Sequence, residues 1–310
     1  MPIDPVPDEH VPAVETAGLR KAFGGKVAVD SLTLTVDTGE VFGFLGPNGA
    51  GKTTAIKMLM GLTYPTAGSA KIMGRPVGDR AVRRKVGFLP EHFRFHDWLR
   101  ADEFLDWHGQ LYGMSAAERK QRIPEVLRLV GLAGETRRQL RTFSKGMLQR
   151  VGIAQALLNK PTIVFLDEPT SALDPLGRRD VRDLIRHLRA DGVSVFLNSH
   201  LLSEVELVCD RVAIINHGRV MRQGTLAELL SSQLEIEMRI GTLNDNVLAA
   251  LRETATSLSA NGRTVTAAVG TEEAIPRLAA AVIENGGLLY ELTPHRHSLE
   301  DLFVRVIEEE

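Results

Sequence analysis

The chain has 310 residues, of which 44% are hydrophobic and 25% charged, as expected of a globular protein with one large domain or two. Its 37 Lys and Arg residues against 39 Asp and Glu residues give a formal net charge of -2, so no nucleic-acid partner is expected, because nucleic-acid binders usually carry a basic excess. The one cysteine, Cys209, excludes an internal disulfide and indicates a reducing compartment.

The first 13 residues are predicted to be a disordered lead-in. They begin with MPIDPVPDEH, which is acidic and rich in proline and lacks the apolar core of a signal peptide. No apolar run in the chain approaches the ~18–20 residues that are needed to span a bilayer. Any role at a membrane is therefore expected to depend on a partner protein.

Short apolar runs alternate with helical segments through the first two thirds of the chain. The segment VAVDSLTLTVDTGE alternates apolar and polar residues, which favours a half-buried antiparallel strand. The runs VFGFLG, VGFLP, TIVFLD and VSVFLNSH are nearly continuous, which is typical of strands buried on both faces, and TTAIKMLMGL after the first run predicts a helix. This is a parallel α/β pattern.

Residues ~101–140 break this pattern, because they predict consecutive helices without strands between them. Ser115 and Glu118 form a capping box at the start of the second helix. We therefore expect a helical subdomain, about residues 92–150, within a larger domain that covers residues 14–233.

The composition changes near residue 231. A helix capped by Thr225 and Glu228 is followed by the strand-like runs LEIEMRI, TVTAAV and GGLLYELTP, with helices between them and a last helix from Ser298. Residues 234–310 are predicted to form a small α+β domain.

The segment GPNGAGKTT matches the pattern G-x-x-x-x-G-K-[ST] of a phosphate-binding loop. A buried strand precedes it and a helix follows, as such a loop requires. Its backbone N–H groups would wrap a phosphate, Lys52 would neutralise the β- and γ-phosphates, and Thr53 would ligate Mg²⁺. The predicted phosphate-binding residues are Gly46, Asn48, Gly49, Ala50, Gly51, Lys52, Thr53 and Thr54.

Two other strand ends carry polar groups that suit nucleotide hydrolysis. Asp167 and Glu168 end the run TIVFLDE, where one carboxylate can hold Mg²⁺ and the next can orient or deprotonate an attacking water. His200 ends VSVFLNSH and could reach a γ-phosphate if its strand lies beside that of Asp167. The predicted catalytic residues are Lys52, Glu168 and His200.

The segment FSKGMLQR predicts a second anion site. Ser144 would be a good helix N-cap, and a helix start with Lys145 beside it attracts anions. Because the phosphate-binding loop already occupies one side of a nucleotide, a second such helix start suggests a site shared between two chains.

Together these motifs resemble the nucleotide-binding subunit of ABC transporters over about residues 14–230. GPNGAGKTT resembles the Walker A motif, TIVFLDE the Walker B motif with its catalytic glutamate, FSKGM the signature, SALDP the D-loop, and His200 the switch histidine. Phe23 stands where the family has an aromatic residue that stacks on adenine. The fold implied is a P-loop ATPase of α/β class with a mixed sheet, an antiparallel β subdomain and a helical subdomain.

The resemblance also implies an assembly. Two copies would meet head to tail as a homodimer, so that Ser144 and Gly146 of one copy contact the γ-phosphate of ATP bound to the other. ATP binding would close the dimer and hydrolysis would release it, which drives a membrane permease. The protein would then lie at the cytoplasmic face of the cell membrane, with ATP and Mg²⁺ as its ligands.

Two positions depart from the family pattern. The signature is F-S-K-G-M instead of L-S-G-G-Q, and the Q-loop position, which contacts Mg²⁺ together with Thr53 and Asp167, is Glu91 instead of glutamine. Both departures are similar to the ABC-2 type exporters of drugs, lipids, polysaccharides and ions. An importer subunit, or a soluble ABC ATPase with a target such as the ribosome, are the alternatives.

The stretch HFRFHDWLRADEFLDW follows Glu91, at the groove that receives a permease helix in this family. Phe93, Phe95 and Trp98 could form an exposed apolar socket for that helix. Packing within the helical subdomain is the alternative explanation for these aromatic residues.

Overall fold

A computed structural model describes residues 11–230, 234–295 and 298–308. It divides the chain into two compact units, Met1–Gly224 and Thr225–Glu310. The first ten residues of the predicted lead-in lie outside the described part of the chain. The division falls before the predicted boundary at 233/234, because the helix that Thr225 begins belongs to the second unit.

The strands and helices of the first unit follow one another along the chain, and the last strand reaches the boundary. They are β1 (Val14–Phe23), β2 (Lys26–Val36), β3 (Val41–Leu45), α1 (Lys52–Leu59), β4 (Ala67–Ile72), β5 (Arg75–Pro76), α2 (Arg80–Arg83), β6 (Val86–Leu89), α3 (Ala101–Leu111), α4 (Ala116–Leu129), α5 (Lys145–Leu157), β7 (Ile163–Asp167), α6 (Pro175–Ala190), β8 (Ser194–Asn198), α7 (Leu202–Val208), β9 (Arg211–Asn216) and β10 (Arg219–Thr225).

A six-stranded sheet in the order β10-β9-β3-β8-β7-β6 forms the centre of this unit. β3 pairs in parallel with β8 and β9, and β7 pairs in parallel with β6 and β8. All residues of β3, β7 and β8 are buried, which explains their continuous apolar sequences. The carboxyl ends of these three neighbouring strands therefore meet at one edge of the sheet.

A second sheet, in the order β2-β1-β4-β5, is antiparallel. The alternation predicted for β2 is confirmed, since Leu32, Leu34 and Val36 are buried and the residues between them are exposed. The sequence analysis did not identify β1. Register shifts and a positive φ at Gly18 interrupt its alternation, so no clear period of two appears in its sequence.

The helical subdomain begins with α3 and α4, which follow each other without an intervening strand, as predicted. The capping box is present: the Ser115 hydroxyl accepts a hydrogen bond from the Glu118 N–H, and the Glu118 carboxylate accepts one from the Ser115 N–H. The third helix, α5, also packs against β6 of the central sheet. This helix therefore connects the helical subdomain to the central sheet.

The aromatic residues after Glu91 divide between the interior and the surface. Phe93 and Phe95 pack on each other and on buried Phe104, with ring centroids 4.5 to 6.0 Å apart. The alternative of internal packing therefore accounts for these two residues. Trp98 is 67% exposed and contacts His96, whose ring centroid lies 5.0 Å away.

The second unit contains α8 (Leu226–Leu230), β11 (Leu234–Ile240), α9 (Asp245–Thr254), β12 (Ser257–Asn261), β13 (Thr264–Val269), α10 (Ala274–Glu284), β14 (Leu289–His295) and α11 (Leu299–Glu308). Its antiparallel sheet has the order β12-β13-β11-β14, and α9 and α10 connect the strands in a split β-α-β arrangement. Thr225 and Glu228 form the predicted capping box of α8. The sequence analysis missed β12, because this exposed edge strand lacks an apolar run.

The predicted fold class is confirmed: an α/β core with an antiparallel sheet and a helical subdomain, followed by a small α+β unit. Each unit has its own core of buried apolar side chains. Across the described residues, no helix combines the length and apolar character needed to cross a bilayer.

Candidate active site

The loop between β3 and α1 has a backbone that only glycine can adopt at two positions. Gly51 has φ 102°, and a Cβ there would lie 2.3 Å from the carbonyl oxygen of Ala28. A Cβ on Gly46 would lie 2.4 Å from the carbonyl oxygen of Ile215. Because both neighbours are backbone atoms, neither could move aside for a side chain. The loop is therefore fixed in its wrapped shape by its glycines.

Lys52 turns back into this loop from the first position of α1. Its Nζ donates hydrogen bonds to the carbonyl oxygens of Gly46 at 2.6 Å and Pro47 at 3.1 Å. Burial lowers the pKa of Lys52, and the nearby carboxylates of Glu168 and Asp167 oppose that shift. The ammonium group thus lies at the centre of the loop, where a phosphate would meet it.

The other predicted loop residues differ in exposure. Asn48 and Gly49 are exposed at the tip, Ala50 is buried, and Thr53 and Thr54 are half-buried in the first turn of α1. The backbone N–H groups at the start of α1 and the helix dipole favour an anion at this point. The loop thus combines a cation, a helix start and an open tip.

Asp167 ends β7 and is only 2% exposed. It accepts hydrogen bonds from the side-chain amide of Asn198 and from the backbone N–H of Glu91. Burial raises the pKa of Asp167, and the negative charge of Glu91 raises it further. A carboxylate this deeply buried is stabilised by a nearby cation, which makes it a suitable ligand for a metal ion.

Glu168 has an unusual backbone for a residue with a side chain, with φ 55°. Its N–H donates to the carbonyl oxygen of Asn198 at 2.9 Å. Its own carbonyl oxygen accepts from Gln149 Nε2 and from Ser171 Oγ, both at 3.1 Å. This left-handed conformation ends the extended backbone of β7 at Glu168.

The Glu168 carboxylate is paired with His200, because β7 and β8 are adjacent strands, as the sequence predicted. The Oε2 atom of Glu168 lies 2.6 Å from Nδ1 of His200, which follows β8 by two residues. Burial raises the pKa of Glu168, while the histidine opposes that shift. In such a pair the histidine can hold the carboxylate in the position where it accepts a proton.

Ser144, Gly146 and Phe23 make different contacts from the residues around Lys52. The Ser144 hydroxyl caps α5 by accepting a hydrogen bond from the N–H of Met147 at 3.2 Å, and both Ser144 and its neighbour Lys145 are exposed. A Cβ on Gly146 would lie 3.2 Å from Cδ2 of Leu173, so there is little room for a side chain at this position. Phe23 is 52% exposed at the end of β1, with the Lys21 ammonium 4.8 Å from its ring centroid.

The residues around Lys52 fit a Mg²⁺ ion. Mg²⁺ prefers oxygen ligands, and the buried carboxylate of Asp167 and the hydroxyl of Thr53 are of that type. The amide oxygen of Asn198, beside Asp167, is buried without a hydrogen-bond partner among the described residues. Glu91, whose side chain is 45% exposed, adds negative charge close to Asp167.

Sequence reasoning missed that Gln149, Ser171 and Asn198 hold the backbone of Glu168, although Ser171 begins the SALDP segment that resembles the D-loop. Of these residues, Asn198 gave a signal in the sequence, because it is a polar residue at the end of an otherwise apolar strand. Gln149 lies 19 residues from Glu168 in the chain, and its contact depends on how α5 packs.

Comparison with known proteins places these features in a family. A model of the family described as ABC transporter matches residues 29–171. An uncharacterised ABC transporter ATP-binding protein of Synechocystis is 44% identical over 285 residues, which cover 90% of this chain and 78% of the relative. The Nod factor export ATP-binding protein I of a Rhizobium species is 33% identical over 298 residues, covering 95% of this chain and 96% of the relative.

A solved structure is also similar. The ATP-binding cassette MJ0796, in a dimeric post-hydrolysis state bound to ADP and Pi, matches with a TM-score of 0.64 and 28% identity over 69% of this chain and 98% of that one. Similarity this extensive, around a loop, a carboxylate pair and a histidine that suit nucleotide hydrolysis, leaves one conclusion. The chain belongs to the ABC transporter family, as an ATP-binding protein with ATPase activity.

Proposed function

We propose that this protein energises an ABC-2 type exporter by ATP-driven, head-to-tail dimerisation of two copies. The observation that carries the proposal is the location of two kinds of anion site. Lys52, Glu168 and His200 converge at one edge of the central sheet. Ser144 is instead exposed at the start of α5, and its hydroxyl caps that helix. A helix start that faces outward in this way suits ATP held by a second copy.

Each copy supplies most of the chemistry for its own ATP. The loop from Gly46 to Thr54 wraps the phosphates, with Lys52 at its centre, and Phe23 stacks on the adenine. Thr53, Asp167 and Glu91 hold Mg²⁺, which neutralises charge on the β- and γ-phosphates when bound. Glu168 accepts a proton from the attacking water, and His200 holds its carboxylate in position.

Ser144 and Gly146 of the other copy complete the site. Their contact with the γ-phosphate exists only in the closed dimer, so ATP stabilises that state over the open one. Hydrolysis removes the contact and the dimer opens. The permease uses this cycle of closing and opening to change its own conformation.

The export direction rests on a relative, and the location follows from the proposed permease partner. The Rhizobium protein, by its name, serves Nod factor export, and its match extends over 95% of this chain. We therefore place the protein at the cytoplasmic face of the cell membrane, bound to a permease of the ABC-2 type. An importer subunit remains the alternative, and identification of the co-purified permease distinguishes the two.

The test uses the variant Glu168→Gln, which removes the proton acceptor and keeps the size of the side chain. We expect it to bind ATP, to hydrolyse it at least about 100-fold more slowly, and to accumulate as an ATP-bound dimer in analytical ultracentrifugation. Glu118→Gln, at an exposed position of α4, is a matched control and should behave like the native protein, because glutamine can keep the capping contact with the Ser115 N–H. Normal turnover by Glu168→Gln, or a monomer with ATP bound, would contradict the proposal.

A further inference from the structure

We propose, on the basis of the function proposed above, that Gln149 is a positioning residue that couples the seating of α5 to the geometry of the catalytic carboxylate of Glu168. The side-chain amide of Gln149 donates a hydrogen bond to the backbone carbonyl of Glu168 at 3.1 Å. The same helix begins at Ser144, which would contact ATP on the other copy. One helix therefore touches both halves of the composite site.

The backbone of Glu168 makes this single hydrogen bond important. With φ at 55°, Glu168 occupies the left-handed region, which is unfavourable for a residue with a Cβ. Such a conformation persists only where the surroundings hold it in place. Since the carboxylate direction follows from this backbone, whatever holds the backbone also aims the carboxylate.

Three residues hold it, one of them through two groups, since the Ser171 N–H also donates to the Glu168 carbonyl, at 3.4 Å. The carbonyl of Asn198 at the end of β8 receives the Glu168 N–H, and the Ser171 hydroxyl donates to the Glu168 carbonyl from three residues further along the chain. Both lie beside the end of β7, within or next to the central sheet. Gln149 is the member of the set that belongs to α5, which also packs on α3 and α4.

The distance along α5 suits transmission of a small movement. Ser144 and Gln149 are five residues apart, about 7.5 Å along a helix axis. A helix is stiff over this length, so a displacement of its first turn also displaces the amide of Gln149. When α5 is seated against the phosphate of the other copy, its amide fixes the carbonyl of Glu168, and the carboxylate points at the attacking water.

The experiment compares two substitutions of the same kind on the same helix. Gln149→Met keeps the size of the side chain and removes its donor. Gln155→Met is the matched control, because the Gln155 amide donates to the Tyr112 hydroxyl at 2.8 Å instead of to Glu168. Steady-state ATPase kinetics and thermal unfolding of the full chain are measured for both variants.

For Gln149→Met we expect kcat to fall about tenfold with KM for ATP unchanged, as for a group that acts through the geometry of the carboxylate. For Gln155→Met we expect a lower unfolding temperature and a kcat within twofold of native. In Gln149→Lys, which restores a hydrogen-bond donor, we expect kcat to return toward the value of the native protein. A kcat within twofold of native in Gln149→Met, or equal losses in the two Met variants, overturns the inference.

The coupling itself is tested by a double-mutant cycle with Ser144→Ala. If the signature contact acts through Gln149, the kcat of the double variant is close to that of the lower single variant. If kcat of the double variant falls by the product of the two single-variant losses, the two residues act independently and the coupling is overturned. The proposed function is judged separately on the native protein. If the ATPase activity per mole of protein does not rise with protein concentration, both the proposed function and this inference are overturned. If that activity does rise and Gln149→Met is unaffected, this inference alone is overturned.

Discussion

At the scale of single residues, the pair formed by Glu168 and His200 defines the candidate hydrolytic centre. Their side chains meet because β7 and β8 are parallel neighbours, with Asp167 directly opposite Asn198 in the register. The carboxylate is only 10% exposed, while the histidine side chain is 60% exposed. The histidine is thus the member of the pair that is open to a bound nucleotide.

His200→Ala should abolish most hydrolysis without affecting ATP binding. The substitution removes the hydrogen bond that directs Glu168, while the loop around Lys52 is untouched, so we expect kcat to fall about 100-fold at unchanged nucleotide affinity. Steady-state kinetics and equilibrium binding of a fluorescent ATP analogue measure the two quantities. His187→Ala, at an exposed histidine of α6, is the control. Comparable kcat losses in both variants would show that the effect is not specific to His200.

Cys209 should be unreactive in the folded protein. It is 8% exposed, and burial raises the pKa of its thiol, so the reactive thiolate is scarce. We expect iodoacetamide to leave Cys209 unmodified in the native protein and to alkylate it fully in denaturant, as measured by mass spectrometry. Rapid alkylation of the native protein would contradict the buried position next to β9.

Lys52, Asp167, Glu168 and His200 could be proposed as site residues from the sequence because each lies in a short segment whose order of residues indicates a chemical role. The residues that hold these side chains in place could not be identified in this way. The contacts of Asn198 with Asp167 and of Gln149 with Glu168 join residues 31 and 19 positions apart, and they depend on strand order and helix packing. The sequence contains these residues but not the geometry that brings them together.

At the scale of elements, short apolar runs predicted β3, β6, β7 and β8, and capping boxes predicted the starts of α4 and α8, whereas the buried strand β9 was missed. Two further strands lack a clear apolar pattern in their sequences. β12 is an edge strand exposed to solvent, and the pairing of β1 is interrupted by register shifts. The aromatic segment before α3 is a mixed case. Its phenylalanines fill space against Phe104, whereas Trp98 stays at the surface.

Trp98→Ala should weaken binding of the permease and leave ATP-driven dimerisation intact. An indole that is 67% exposed gains much contact area when a partner covers it, and such aromatic anchors often contribute 2 kcal/mol or more, roughly, to an interface. Co-purification from native membranes measures the first effect, and ultracentrifugation with ATP the second. Leu207→Ala, at an exposed apolar side chain of α7, is the control. Undiminished recovery of the permease with Trp98→Ala would exclude this surface.

At the scale of the whole molecule, the chain consists of two units whose hydrophobic cores are separate. The core around Leu34 draws all its described residues from the first unit, and the core around Leu251 draws all of its own from the second. The residues proposed to bind ATP lie in the first unit. A defect in the second core is therefore expected to remain local.

Leu251→Ala should destabilise the second unit by about 2–5 kcal/mol, because Leu251 of α9 is fully buried and its loss leaves a cavity. Amide exchange should become faster in β11 and β13, while β3 and β7 keep native protection and ATP affinity is unchanged. Leu34→Ala is the reciprocal control and should reverse that pattern. Faster exchange in both units with either variant would mean that the two cores unfold cooperatively, and the C-terminal unit would then contribute directly to the stability of the ATPase. A strictly local response would instead leave the second unit free to serve a separate role while the ATPase works unaltered.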